Sequence, residues 1–225
     1  MNNLTKSEII DHINDERRET NSSFISAAMA LRWMNQCNRK IISKPEVKTV
    51  PDTQTINFTG SGDYTHNTDF KGPISLYSGS AAASVIIEFG YLPPDEFNLL
   101  RYGYAYTFKV KGKISIFAPD TSSLPTTTLT LDYWSKNIIL DADGVTKKSK
   151  WENDGDKSRL APEFDDLWIE WASFRIKKRE GKKDDAKEHF QLFDDMLVDL
   201  SEEGGVPKPR RPMRAFGHFM GGRGN

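Results

Sequence analysis

Between residues 151 and 200 two helical patterns stand so close together in the chain that they must fold back on each other. The first is expected to open at Pro162, because a first helical residue leaves its N–H unpaired and proline has none to lose. Glu163, Asp165 and Asp166 make the first turn acidic, which suits the positive end of the helix dipole. Phe164, Leu167, Trp168, Trp171 and Phe174 recur at helical spacing and form one apolar face. Arg175, Lys177, Lys178 and Arg179 crowd the last turns, and Gly181 ends them. A second helix is expected over about 184–200, with a stripe of Ala186, Phe190, Phe193, Met196, Leu197 and Leu200. Only residues 181–183 lie between, so the pair reads as an antiparallel hairpin with an aromatic core.

The N-terminal stretch is also helical. Thr5 and Glu8 have the spacing of a capping box, and Leu4 and Ile9 that of a hydrophobic staple. Ile9, Ile10 and Ile13 give a short apolar face, so this helix needs a docking partner to be stable. The charge run 15–19 reads as a solvated surface. After the break at 21–23, Ser23 is a candidate N-cap for a longer helix reaching about Ile42. Its stripe is Phe24, Ala27, Ala28, Leu31, Met34, Asn38, Ile41 and Ile42, and Pro45 terminates it. Cys37 reads as a packed small hydrophobe.

From 45 to 150 the period changes. Short alternating or β-branched runs at 55–58, 74–77, 84–89, 102–110, Lys113–Phe117 and 127–134 are expected strands. Lys111 and Gly112 read as a tight hairpin. Tyr102, Tyr104, Tyr106 and Phe108 alternate, which puts them on one face of a strand. That face reads first as sandwich core and second as a carbohydrate-stacking platform. Residues 60–72 are polar and turn-rich and read as a long loop. The Asp, Asn and Gly clusters at 141–144 and 153–156 do not fit a twelve-residue calcium loop and read as turns.

The fold expected is therefore α+β. Residues 1–44 give N-terminal helices and 45–150 an inserted small β-sandwich or barrel. Residues 151–203 give a C-terminal hairpin packing with the N-terminal helices, and 204–225 an extended tail. The tail carries Lys208, Arg210, Arg211, Arg214 and Arg223, no acid, and Pro207, Pro209 and Pro212. Such a segment cannot build its own core. Met213, Phe216, Phe219 and Met220 are interleaved with the cations, which suits anchoring in a protein groove better than binding nucleic acid. Arg210, Arg211, Met213, Arg214, Phe216, Phe219 and Met220 are thus the candidate binding residues.

Composition narrows the function further. The net charge of −1 supplies no global drive toward nucleic acid. One cysteine allows no disulfide within the chain and fits a reducing compartment. The N-terminus has no apolar run like a signal peptide, and nothing approaches the ~20 apolar residues of a membrane span. His12, His66, His189 and His218 are scattered, with no pair at zinc-ligand spacing. There is no phosphate loop, nucleophile elbow or dinucleotide fingerprint. An enzyme is not expected, and neither a cofactor nor a metal.

The order of parts, and several of the parts themselves, resemble a known family. The stretch 31–39, with Leu31, Asn35 and Arg39, looks like a long first-domain helix. Tyr91 to Asp95, with Pro93 and Pro94, resembles a bend after a strand. Trp151 to Asp156, then Ala161 to Phe164, Trp171 with Ala172, and Ala186 with Phe190, resemble a C-terminal half. These are features of the adaptor (connector, neck) proteins of tailed bacteriophages, particularly short-tailed ones. The resemblance implies a homododecameric ring at the head–tail junction of the virion, made in the host cytoplasm. The ring would bind the portal protein above and a nozzle or tail-tube protein below, with DNA only as genome passing through its channel. It implies no membrane partner.

Overall fold

The structure, a computed structural model, describes residues 3–19, 25–79, 86–100, 102–108, 112–119, 122 and 124–203. In chain order it contains α1 (Lys6–Glu19), α2 (Ala27–Ser43), β1 (Val50–Asn57), β2 (Gly62–Thr65), β3 (Phe70–Ser78), β4 (Ile87–Tyr91), α3 (Pro94–Leu99), β5 (Ala105–Thr107), β6 (Lys113–Phe117) and β7 (Thr128–Ser135). The short strands β8 (Ile139–Leu140), β9 (Lys147–Lys148) and β10 (Lys157–Ser158) follow. A 3-10 turn over Pro162–Phe164 then leads into α4 (Asp166–Arg179) and α5 (Lys183–Glu203).

The helices form for the reasons their sequences suggest. At α1 the capping box closes both ways: Glu8 N donates to Thr5 Oγ1 at 3.3 Å, and Thr5 N donates to Glu8 Oε2 at 2.7 Å. Ser26 caps α2, accepting from Met29 N at 3.3 Å, while Ser23 lies outside the described residues. α2 buries Ala30, Trp33, Met34, Cys37, Asn38 and Ile41, one stripe at helical spacing. Gly181 takes φ +77 between α4 and α5, a conformation that would strain any residue with a Cβ. α5 sends Ala186, Phe193, Leu197 and Leu200 inward, with Phe190 left 42% exposed. α4 is enclosed on more than one side, for Leu167, Trp168, Trp171, Ala172, Ser173, Ile176 and even Lys177 are buried. It packs against α1, α2 and α5 at once.

The expected class, a helical domain with a small inserted sandwich or barrel, is overturned. Among the described residues the main sheet is a seven-stranded curled half-barrel, set beside several helices. Strand order is β1-β7-β3-β4-β5-β6-β2, antiparallel throughout except for the parallel pair β4 and β5. β7 shows the cleanest pleat, with Leu129, Leu131, Tyr133 and Ser135 inward. The pairing of β3 with β7 slips between Phe70 and Gly72 and again between Pro73 and Ser75. Such bulges bend and twist a strand, so a single curled sheet wraps its own core where a small inserted sandwich or barrel was expected.

Turn residues hid part of this sheet. The stretch 60–72, read as a loop, contains β2 and the start of β3. Of the strand expected at 102–110, Ala105–Thr107 is paired, and residues 109–110 lie outside the described residues, as does Lys111. A second sheet, β10-β8-β9, was not anticipated. Its Ile139, with Ile138 and Trp151, belongs to the helical core.

Polar side chains tie the two cores together. Lys71 of β3 reaches across so that its Nζ donates to the carbonyls of Ile41, in the last turn of α2, and Val47, at 3.1 and 2.6 Å. Burial pulls its ammonium down to about 8. Thr49 Oγ1 donates to Ser135 O at 2.6 Å. Within the helical half, Asn38 accepts from the buried Trp168 Nε1 at 2.6 Å and donates to Ser149 O at 3.0 Å. Leu4 N donates to Asp165 Oδ2 at 2.6 Å, which fastens the N-terminus onto the start of α4.

Candidate protein-interaction surface

Arg210, Arg211, Met213, Arg214, Phe216, Phe219 and Met220 all lie outside the described residues. What the described part offers is a pair of grooves on the helical half, assembled from stretches far apart in the chain.

The first groove runs between α2 and α4. Its α2 wall is Gln36, Arg39, Lys40 and Ser43, and its α4 wall is Trp171, Phe174, Arg175 and Lys178. Both sets have the spacing of one helix face. Because α2 turns Trp33, Cys37 and Ile41 into the core, Gln36, Arg39, Lys40 and Ser43 must face outward. Phe190 of α5 closes one end of the groove, whose volume is ≈590 Å³. The floor is a chain of rings, with Trp171 to Phe174 centroids 5.4 Å apart and Phe174 to Phe190 5.2 Å. Lys178 Nζ sits 5.4 Å from the centre of the Phe174 ring, a cation–π distance. Arg39, Lys40, Arg175 and Lys178 line this groove, and no acid does.

A second groove of ≈530 Å³ shares Arg39 and Ser43 with the first and continues toward the sheet, where Lys136 and Lys150 border it. Its acid, Asp69, is engaged from within: Ser135 Oγ donates to it at 2.7 Å and Tyr133 Oη at 3.1 Å. Burial, with the neighbouring Asp69 charge, pushes the Tyr133 hydroxyl up to about 12. The two grooves make one basic trough with an aromatic floor at its helical end.

Several other chemistry-bearing residues have structural partners. Burial pushes the Cys37 thiol well above its usual range, which disfavours the nucleophilic thiolate. His66 stacks on Phe70 at 4.3 Å, and His189 Nδ1 stands 2.8 Å from Glu170 Oε2. The Asp and Asn turns at 141–144 and 153–156 converge on an ammonium: Lys148 Nζ lies 2.8 Å from Asp156 Oδ1 and 3.2 Å from Asp141 Oδ1. Asn153, donating to Asp141, helps hold that carboxyl down at about 2, as do the Ala142 backbone N–H and Lys148. Among the described residues no three of His, Cys, Asp and Glu are grouped as a metal site requires. Of the alternating aromatics, Tyr106 is buried, Tyr104 and Phe108 pack against the sheet core, and Tyr102 is 85% exposed.

Sequence reasoning missed the trough. The cations at 175–179 were read only as marking the last turns of a helix, yet they serve different ends. Arg175 and Lys178 line the groove, Lys177 is buried, and Arg179 Nη1 lies 3.1 Å from Met29 Sδ. The available signal was Arg39 and Lys40 on the outward face of an otherwise well-marked amphipathic helix.

Compared with protein-family models the chain matches none, and compared with curated proteins it again finds no match.

Proposed function

We propose that this protein is a structural adaptor that works by surface recognition in a multi-copy assembly, namely the ring between head and tail of a short-tailed phage. In this role it binds the portal protein and continues the DNA channel toward the tail protein. The observation that carries the recognition half of the reading is the basic trough. It gathers cations over an aromatic floor, the chemistry of an anchor site for an acidic, partly apolar surface. The phage half rests on the resemblance of stretches 31–39, 91–95, 151–156 and 161–164, with Trp171, Ala172, Ala186 and Phe190, to that family. The tail supplies complementary anchors, with Phe216 and Phe219 as apolar contacts and Arg210, Arg211 and Arg214 as cations. Many simultaneous contacts around a ring would strengthen its binding.

The test is electron microscopy of the protein co-expressed with the portal protein of its own genome. Portals carrying an added layer are expected, with the copy number read from their symmetry. Bare portals beside free protein would overturn the adaptor reading. For the carbohydrate reading, the exposed rings among the described residues of the sheet half are Tyr91 and Tyr102, at 53% and 85%.

A further inference from the structure

We infer that the aromatic-floored groove between α2 and α4 receives the acidic outer face of α5 from a second copy of this chain, so that copies join head to tail. This deepens the adaptor reading by naming the contact between subunits.

At about 100° per residue, Asp184, Glu188, Asp195, Asp199 and Glu202 of α5 fall within about 60° of one another. All five are exposed, and together they form an acidic ridge along the helix. Leu192, 46% exposed, stands beside the ridge. The groove has the opposite character, with Arg39, Lys40, Arg175 and Lys178 over Trp171, Phe174 and Phe190. A helix carrying acids and a leucine, laid into a cationic groove with an apolar floor, follows a common mode of helix recognition. The near-zero net charge of the whole chain thus conceals a separation of charge between two faces.

The pairing cannot form within one molecule. α5 is held to α4 through Ala186, Phe193, Leu197 and Leu200, which fixes its acidic ridge on the side away from the core. The ridge therefore points outward while the groove opens beside Phe190. Two different complementary patches make a heterologous contact, and repeating it produces a closed ring or an open filament. Nucleic acid is the less favoured occupant, since a phosphate backbone has no use for the apolar floor, and the tail at 204–225 competes only for the ridge.

The experiment is sedimentation velocity of the full chain over a range of concentrations, at about 50 mM and about 500 mM salt. Three proteins are compared: wild type, the groove variant Arg39→Glu with Lys178→Glu, and the ridge variant Asp195→Lys with Asp199→Lys. All four positions are exposed, so circular dichroism should match wild type. Wild type is expected to associate at low salt and dissociate at high salt. Each variant should weaken association at least about tenfold. An equal mixture of the two variants should recover it, because each then presents a surface complementary to the other. Wild type that stays monomeric at low salt overturns the inference, as does association that survives both variants. Association that needs residues 205–225 but not the groove cations assigns the ridge to the tail and also overturns it. So does wild type that binds duplex DNA through Arg39 and Lys178 without self-associating. Restored association together with bare portals would sink the adaptor reading and leave this one standing.

Discussion

Single buried polar groups set how this fold responds to pH. Burial raises the Asp165 carboxyl to about 6, against the hydrogen bond from Leu4 N that favours its charged form. The folded chain holds that proton up to about pH 6, while the unfolded chain releases it near the reference value of 3.8. Asp165 therefore adds stability as pH falls through that window and reaches its full contribution near pH 4. Asp165→Asn keeps an acceptor for Leu4 and removes the charge. It should be more stable than wild type at pH 7 by on the order of 1–2 kcal/mol, with the advantage fading toward pH 4. Denaturant titrations at several pH values measure this, and a gap that does not change with pH would refute the raised carboxyl. Asn38 shows what a sequence pattern hides. Its position on the stripe of α2 was readable, but nothing in the period says that its amide would join Trp168 to Ser149 across the chain.

Elements were readable where their own residues dictate them. The capping box at Thr5, the turn at Gly181 and the strand Lys113–Phe117 depend on local chemistry, and all three stand as expected. Gly181→Ala should cost about 1 kcal/mol in thermal or chemical unfolding, since alanine must be forced into φ +77 at the bend of the hairpin. A neutral substitution would mean that the bend can rearrange. Elements that depend on a partner were not readable. β2 is four residues long and nearly all polar, and pairing with β6 is what makes it a strand. β8, β9 and β10 are two residues each, too short for any period to register. The groove is likewise a property of two helices in register, so neither α2 nor α4 announces it alone.

For the whole molecule, the described residues build two cores and the bonds between them. Removing 205–225 should therefore leave the helical circular dichroism and the melting temperature within error of wild type. On the adaptor reading it should also abolish capture by the portal. A truncated protein that still layers onto portals would take the tail out of the proposed mechanism. The misjudged class has a cause at this scale too. A small inserted sandwich or barrel follows from counting strands, but the slips in β3 let one large sheet curl over Leu76, Ile114 and Leu131.

The reach of Lys71 from β3 to α2 also has a mechanical meaning. Apart from the connecting segment, the bonds from its ammonium to the Ile41 and Val47 carbonyls are a direct path by which a pull on the helix reaches the sheet. Both bonds come from one ammonium, so a single side chain fastens the end of α2 and the segment that follows it to the sheet. Replacing Lys71 with methionine would remove both bonds at once and leave the Thr49–Ser135 bond and the pairs of Asp52 with Lys147 and Arg159 to carry the junction.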